Sequence, residues 1–354
     1  MAKTFDELPT YKEVVDHFQQ EHRKMNLLLG NGFSIAYDKD IFSYNALSRY
    51  IMDSDDEVIK RVFGVYNTQN FETIMQQLRN MVDVLKILDA PQALCNKVAG
   101  VSQELKAKLI DAISAMHPEQ VFRVDEAKSK HCAEFLKPYI VNGGHIFSTD
   151  YDLLLYWVLL RNEVKDFVDG FGREAENLDD GEYVEEDDIQ WSELIWGKYK
   201  GTQNVHYLHG ALPLFDEGCD IVKVEYDGEN YLLDVIKKKI DDGSYPVFVA
   251  AGTSDEKMNH IKHNPYLNYC YDSLCKINGS LIALGFSFGD NDTHIIDAIN
   301  EAGRHGHRGG PDQKLVSVYV GVFSEQDYQH MLDIKKKFRI KLECFNARTA
   351  HIWE

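Results

Sequence analysis

Four short stretches of this chain combine glycines, hydroxyls, carboxylates and a histidine in patterns that could do chemistry. The first is Gly30-Asn31-Gly32-Phe33-Ser34. Its glycines permit positive φ and let a backbone come close to a pyrophosphate, while amides at a helix start would supply donors. Ser34 adds a hydroxyl. The run is neither a P-loop, for want of G-K-[ST], nor a full G-x-G-x-x-G, and a purely steric turn would use the same glycines. The second is Ser148-Thr149-Asp150-Tyr151-Asp152. Two carboxylates two residues apart cost electrostatic energy unless one meets a cation or caps a helix; Asp152 is a candidate cap for a helix from Leu153. The third, His206-Tyr207-Leu208-His209-Gly210, puts His209 at a strand exit, where a catalytic base would sit and where a structural histidine sits too. The fourth, Leu284-Gly285-Phe286-Ser287-Phe288-Gly289-Asp290, leads into Asn291, Asp292 and His294 at a helix start. Such a turn suits phosphate or ribose.

Each stretch follows a short apolar run of strand length. Met25 to Leu29, His145 to Thr149, Val205 to Leu208, Tyr245 to Ala250, Ser280 to Leu284, Leu315 to Val322 and Ile340 to Phe345 read as strands. Helical spacing separates most of them, at Asp255 to Lys276, Thr293 to Ala302 and Glu325 to Phe338. Tyr44 to Leu136 is mainly helical, with Phe71, Ile74, Met75 and Leu78 on one face. Alternating strands and helices predict an α/β fold whose mostly parallel sheet is covered on both faces. Ligands of such a sheet sit beyond the carboxyl ends of its strands. The predicted organisation is a core of residues 25–50 plus 141–354, a helical insertion or lid at 51–140, and an acidic loop at 174–190.

Composition narrows the partners. The 354 residues include 38 basic and 57 acidic side chains, a formal net charge of −19. That excess argues against a nucleic-acid binder, which needs clustered lysine and arginine. It leaves small anions open, because backbone amides can hold them. Nine acids and no base lie between Glu174 and Asp188, the pattern of a solvated loop or flap. The six cysteines form no C-x-x-C pair, so neither zinc nor a disulfide framework is expected. No signal peptide or membrane span is read, and a cytoplasmic location is expected.

The ordered set resembles the sirtuin-like NAD-binding domain of prokaryotic antiphage defence proteins. Members carry G-[AN]-G-x-S, then T-[TN]-N-Y-D, then L-H-G, then G-[YF]-S-[FL]-x-D. Residues 30–34, 148–152, 208–210 and 285–290 match in order. Ile41-Phe42-Ser43-Tyr44, Asn70-Phe71-Glu72 and Ala251-Gly252-Thr253-Ser254 are similar to one branch of the group. The resemblance implies a Rossmann-like fold whose inserted helices close over NAD. By it, Gly30, Asn31, Gly32, Phe33 and Ser34 would hold the pyrophosphate, with Thr149 beside them. Gly285, Ser287, Phe288 and Asp290 would take the adenosine side. Asp150 and Asp152 would flank the nicotinamide riboside, with His209 as base at a pKa near neutral. The chain lacks the four-cysteine zinc module of deacylating sirtuins, so the resemblance implies NAD glycohydrolase activity, with NAD as substrate and no metal.

Asp150 stands where the family usually has Asn. A carboxylate would stabilise an oxocarbenium more strongly, but it cannot donate a hydrogen bond. Two further readings therefore accompany the effector hydrolase: a non-catalytic sensor of NAD, ADP-ribose or a related nucleotide, and an ADP-ribosyltransferase. An effector of this kind is expected to be held quiet until a homo-oligomer or a companion defence protein assembles it. With the acid excess opposing the phosphates, affinity for NAD is expected to be modest and to rise with salt or assembly.

Overall fold

The computed structural model describes residues 4–42, 56–66, 71–116, 123–164, 166–175, 190–225, 231–242, 244, 246–249, 252–304 and 314–354. Most of the predicted acidic loop, and residues 43–44, 70 and 251 of the stretches noted above, lie outside them. In chain order the strands are β1 (Met25–Leu29), β2 (Ile146–Ser148), β3 (Phe171–Gly172), β4 (Leu194–Trp196), β5 (Val205–Tyr207), β6 (Gly210–Asp216), β7 (Ile221–Lys223), β8 (Pro246–Phe248), β9 (Gly279–Leu284), β10 (Leu315–Val322) and β11 (Lys341–Asn346).

Six of them form one wholly parallel sheet in the order β11-β10-β9-β1-β2-β5. Counted along the chain, this is the 3-2-1-4-5-6 order of a doubly wound Rossmann-like sheet, with its switch point between β1 and β9. All five residues of β1 are buried, although alternate side chains point to opposite faces. Both faces are therefore covered, as the continuous apolar run Met25 to Leu29 predicts. Helices do the covering, among them Glu126–Val141, Pro265–Leu274 and Thr293–Arg304.

Register decides what the strand ends present. Leu29 pairs with Ser148 on one side and with Leu284 on the other, and Ser148 pairs with Tyr207. Four strands thus end level. The residues that follow them, Gly285, Gly30, Thr149 and Leu208, emerge in one row.

Two corrections to the sequence reading follow from packing. Residues 246–248 do not join the parallel sheet; they edge a second, antiparallel sheet of order β3-β4-β7-β6-β8 that the sequence reading lacked. Asp255 to Lys276 is two helices, Ser254–His263 and Pro265–Leu274. Asn264 caps the second through its side chain, and Pro265 at its first turn offers no amide to the first. The inserted helices Glu57–Tyr66, Phe71–Ile87 and Gln92–Met116 are helical as expected.

Candidate functional site

Beyond the level strand ends lies a cavity of about 1220 Å³, bordered by Asn31, Thr149, Asp150, Asp152, His209 and Gly285 among others. Small-molecule sites commonly span about 300–1,000 Å³, so a dinucleotide-sized ligand fits. The fold places it at the switch point, where doubly wound sheets bind ligands.

The two glycine turns pack back to back at its floor. A Cβ on Gly30 would lie 2.6 Å from the Gly285 carbonyl oxygen, and one on Gly32 would lie 2.5 Å from Gly285 Cα. Gly285 itself sits at φ +68°, where a side chain is strained. Gly30 N–H donates to the Leu284 carbonyl and Gly32 N–H to the Gly285 carbonyl. The glycines are thus required by mutual approach, and these two amides already have acceptors.

Ser34 is buried beneath the turn, and its hydroxyl donates to Asp150 Oδ2 at 3.3 Å. Asp150 N–H donates to Ser148 Oγ, and Asp152 Oδ1 accepts the Leu154 N–H at 2.9 Å, the capping role read from sequence. Both carboxyls are nearly buried, at 7% and 8% exposure. Loss of water, and then the Asp152 charge, push Asp150 well above the usual carboxylate range; the Ser34 hydrogen bond only partly opposes this. Burial likewise raises Asp152 to about 6, against hydrogen bonds from Ser34 and the Leu154 amide. These surroundings favour the protonated form of Asp150, and a protonated carboxyl donates a hydrogen bond.

His209 is fixed by the junction between the sheets. Gly210 follows at φ +82°, and a Cβ there would meet the Val247 carbonyl oxygen at 1.9 Å, so glycine is obligatory. The His209 carbonyl accepts the Val249 N–H. Its Nε2 faces Nε2 of His294 at 3.0 Å. Burial, the Lys257 ammonium and His294 hold the His209 imidazole well below its ordinary pKa. That surrounding works against the near-neutral value that suits a base.

Lys257, Asp292 and His294 were not singled out as functional by sequence reasoning. A Thr253–Glu256 capping box opens the helix that delivers Ser254 and Lys257. Lys257, fully buried, donates to Asp292 Oδ1 at 3.0 Å, and Ser254 Oγ accepts the His294 N–H at 2.7 Å. His294 follows the glycine turn by a few residues, which was the available signal. The burial of a lysine in a polar helix left none.

Of the residues chosen from sequence, Asn31, Gly32, Phe33, Thr149, Asp150, Asp152, His209, Gly285 and Ser287 border the cavity. Gly30, Ser34, Phe288 and Asp290 do not. Phe288 is wholly buried against Phe286 and Phe338, and Asp290 is exposed and paired with Lys337. Phe33 contributes backbone more than side chain: it is buried under Trp353, whose indole N–H donates to the Phe33 carbonyl. Among the described residues of 51–140, Lys128 alone reaches the cavity. Lys39, Lys128, Lys257 and Arg348 all border it, so cations accompany the backbone there despite the net charge.

The chain belongs to the family described as a domain of unknown function, DUF4917, whose model matches residues 27–353. A search of curated proteins finds no match.

Proposed function

We propose that this member of the DUF4917 family hydrolyses NAD, cleaving the bond between nicotinamide and ribose, as an effector of antiviral defence. The reading is supported by one observation above others. Four motifs, the outermost more than 250 residues apart, end at the same height at the switch point of a doubly wound sheet and border one cavity.

In this reading the C1′–N bond breaks, nicotinamide leaves with the bonding pair, and positive charge develops on the ribose. Ionised Asp152 faces that charge and stabilises it. Protonated Asp150 donates a hydrogen bond that holds the riboside in place. Water then bonds to C1′, and its proton passes to a nearby acceptor, for which His209 and Asp152 are the candidates. The cations Lys39, Lys128, Lys257 and Arg348 compensate the phosphates. No helix of the described residues is long and apolar enough to cross a membrane.

The second reading, a nucleotide sensor without turnover, is favoured by the His209–His294 contact, which occupies the nitrogen a base would use. Nicotinamide release from NAD by the purified chain, alone and co-expressed with its genomic neighbours during phage challenge, decides between them. Falling NAD that depends on Asp152 supports hydrolysis. Saturable NAD binding with a level NAD pool in both settings supports the sensor. Absence of both binding and turnover defeats the NAD reading altogether.

A further inference from the structure

We propose that His209, His294 and Asp292 form a site for a divalent first-row transition metal, with two imidazoles and one carboxylate on one side of the ion. The two Nε2 atoms are 3.0 Å apart. Together with a carboxylate oxygen of Asp292, the three donor atoms lie within 4.8 Å of one another. Nitrogens each about 2.0–2.1 Å from a common ion stand roughly 2.9–3.4 Å apart at octahedral or tetrahedral angles. The observed 3.0 Å falls within that range.

The donor set selects the metal class. Two imidazole nitrogens and a carboxylate suit zinc, iron(II), cobalt or manganese, whereas calcium and magnesium prefer all-oxygen shells. Support from behind is also in place. Ser254 Oγ accepts the His294 backbone N–H and lies 3.2 Å from His294 Nδ1, so the serine engages the ring nitrogen opposite the one that would ligate. Such outer contacts orient ligating imidazoles. His209 and Asp292 border the cavity, so the remaining positions on the ion face a site open to ligands.

Lys257 bears on the affinity. Its ammonium donates to Asp292 Oδ1, which steadies the carboxylate. Its charge also repels a dication, so the site binds more weakly than the same ligands would without it. Asp150 and Asp152 border the same cavity and offset part of that repulsion. The inference goes beyond NAD cleavage and does not depend on it.

The test titrates Co(II) into the full chain stripped of metal with EDTA, followed by Zn(II) as competitor. One equivalent of Co(II) per chain, with visible ligand-field bands abolished by Zn(II), is the expected result. His294→Ala and Asp292→Ala should each weaken binding by at least about tenfold, and Ser254→Ala by about tenfold through its outer contact. Far-UV circular dichroism checks that each variant folds; if His294→Ala does not, His294→Gln takes its place. His145→Ala, in a separate histidine pair, should bind as wild type does. A wild-type chain without saturable Co(II) binding overturns the proposal. So does binding that survives in folded His294 and Asp292 variants.

Discussion

Ser34 and Asp150, 116 residues apart in sequence, are joined by a hydrogen bond from the serine hydroxyl to carboxylate oxygen Oδ2. The bond ties the helix after β1 to the end of β2 and sits beside a second buried carboxyl, Asp152. Two carboxyls without an adjacent cation cannot both ionise cheaply when buried. The hydroxyl lowers both but overcomes burial at neither.

That arrangement sets a pH dependence. The proposed NAD cleavage needs Asp152 ionised, and its pKa is raised to about 6, so on that proposal activity should fall as pH drops through that value. The surroundings of Asp150 favour its protonated form, which an amide mimics as a donor, so Asp150→Asn should keep the same acid limb and lose no more than about tenfold in kcat. Asp150→Ala, unable to donate, should lose more. Asp152→Asn should lose at least about 100-fold in kcat. Nicotinamide release between pH 5 and 8 measures all three, and an Asp150→Asn variant as inactive as Asp150→Ala would refute the protonated-acid assignment.

The glycine floor makes a prediction about stability that needs no substrate. Gly285 and Gly143 share φ +68°, but a Cβ on Gly285 meets backbone at 2.6 Å whereas one on Gly143 meets nothing within 4 Å. Gly143→Ala should cost only the left-handed strain, about 1–2 kcal/mol. Gly285→Ala adds overpacking against Gly32 and Phe33 and should cost about 3 kcal/mol or more in total. Urea denaturation of both variants compares them directly. Equal losses would mean that the two turns are not packed as described.

Salt should report where the phosphates sit. The bulk charge of −19 alone would make NAD binding stronger as salt rises. Where the phosphates sit against Lys39, Lys128 and Arg348 rather than against the carboxylates that also border the cavity, that sign reverses. A tenfold rise in salt should weaken NAD binding by roughly threefold or more, and a Lys128→Gln, Arg348→Gln double variant should flatten the dependence. Calorimetric titration at two salt concentrations reads the sign. Tighter binding in high salt would place the phosphates away from these cations.

The parallel sheet was legible because most of its strands are short apolar runs ended by glycine or a polar residue, as at Leu29-Gly30 and Leu284-Gly285. The second sheet was not. Only Leu208 and His209 separate β5 from β6, and Gly210, the one glycine at the junction, reads equally as the end of a parallel strand. The break at Asn264-Pro265 carried a sequence signal, a capping residue before proline, that continuous helical spacing on both sides obscured. Asp150, Asp152 and His209 were identifiable as residues after strands. Lys257 was not, because its burial comes from tertiary packing against the turn at Asp292 rather than from the pattern of its own polar helix.

A second histidine pair, below the site, contributes to the acid stability of the fold in the same sense as His209 and His294. His145 Nδ1 and His206 Nε2 are 3.0 Å apart, and His206 stacks on Phe147 within the sheet. Burial, with a smaller effect of the Lys24 charge, lowers His145 to about 4; burial, then the neighbouring His145, lowers His206 well below its ordinary value. The unfolded chain protonates both near 6.5, so below that pH it binds more protons than the native state. Stability from this pair is complete above about pH 6.5 and is lost as pH falls toward 4, by up to about 1.4 kcal/mol per pH unit for each histidine. Asp150 and Asp152 act in the opposite sense in part of that window, since their raised pKa values make the folded state take up protons first. A difference measurement separates the two effects. His145→Gln keeps a polar partner for His206 and removes one titration, so its stability should fall less steeply between pH 6.5 and 4.5 than that of wild type. Urea midpoints at several pH values give both slopes; identical slopes would show that His145 is not held neutral by its surroundings.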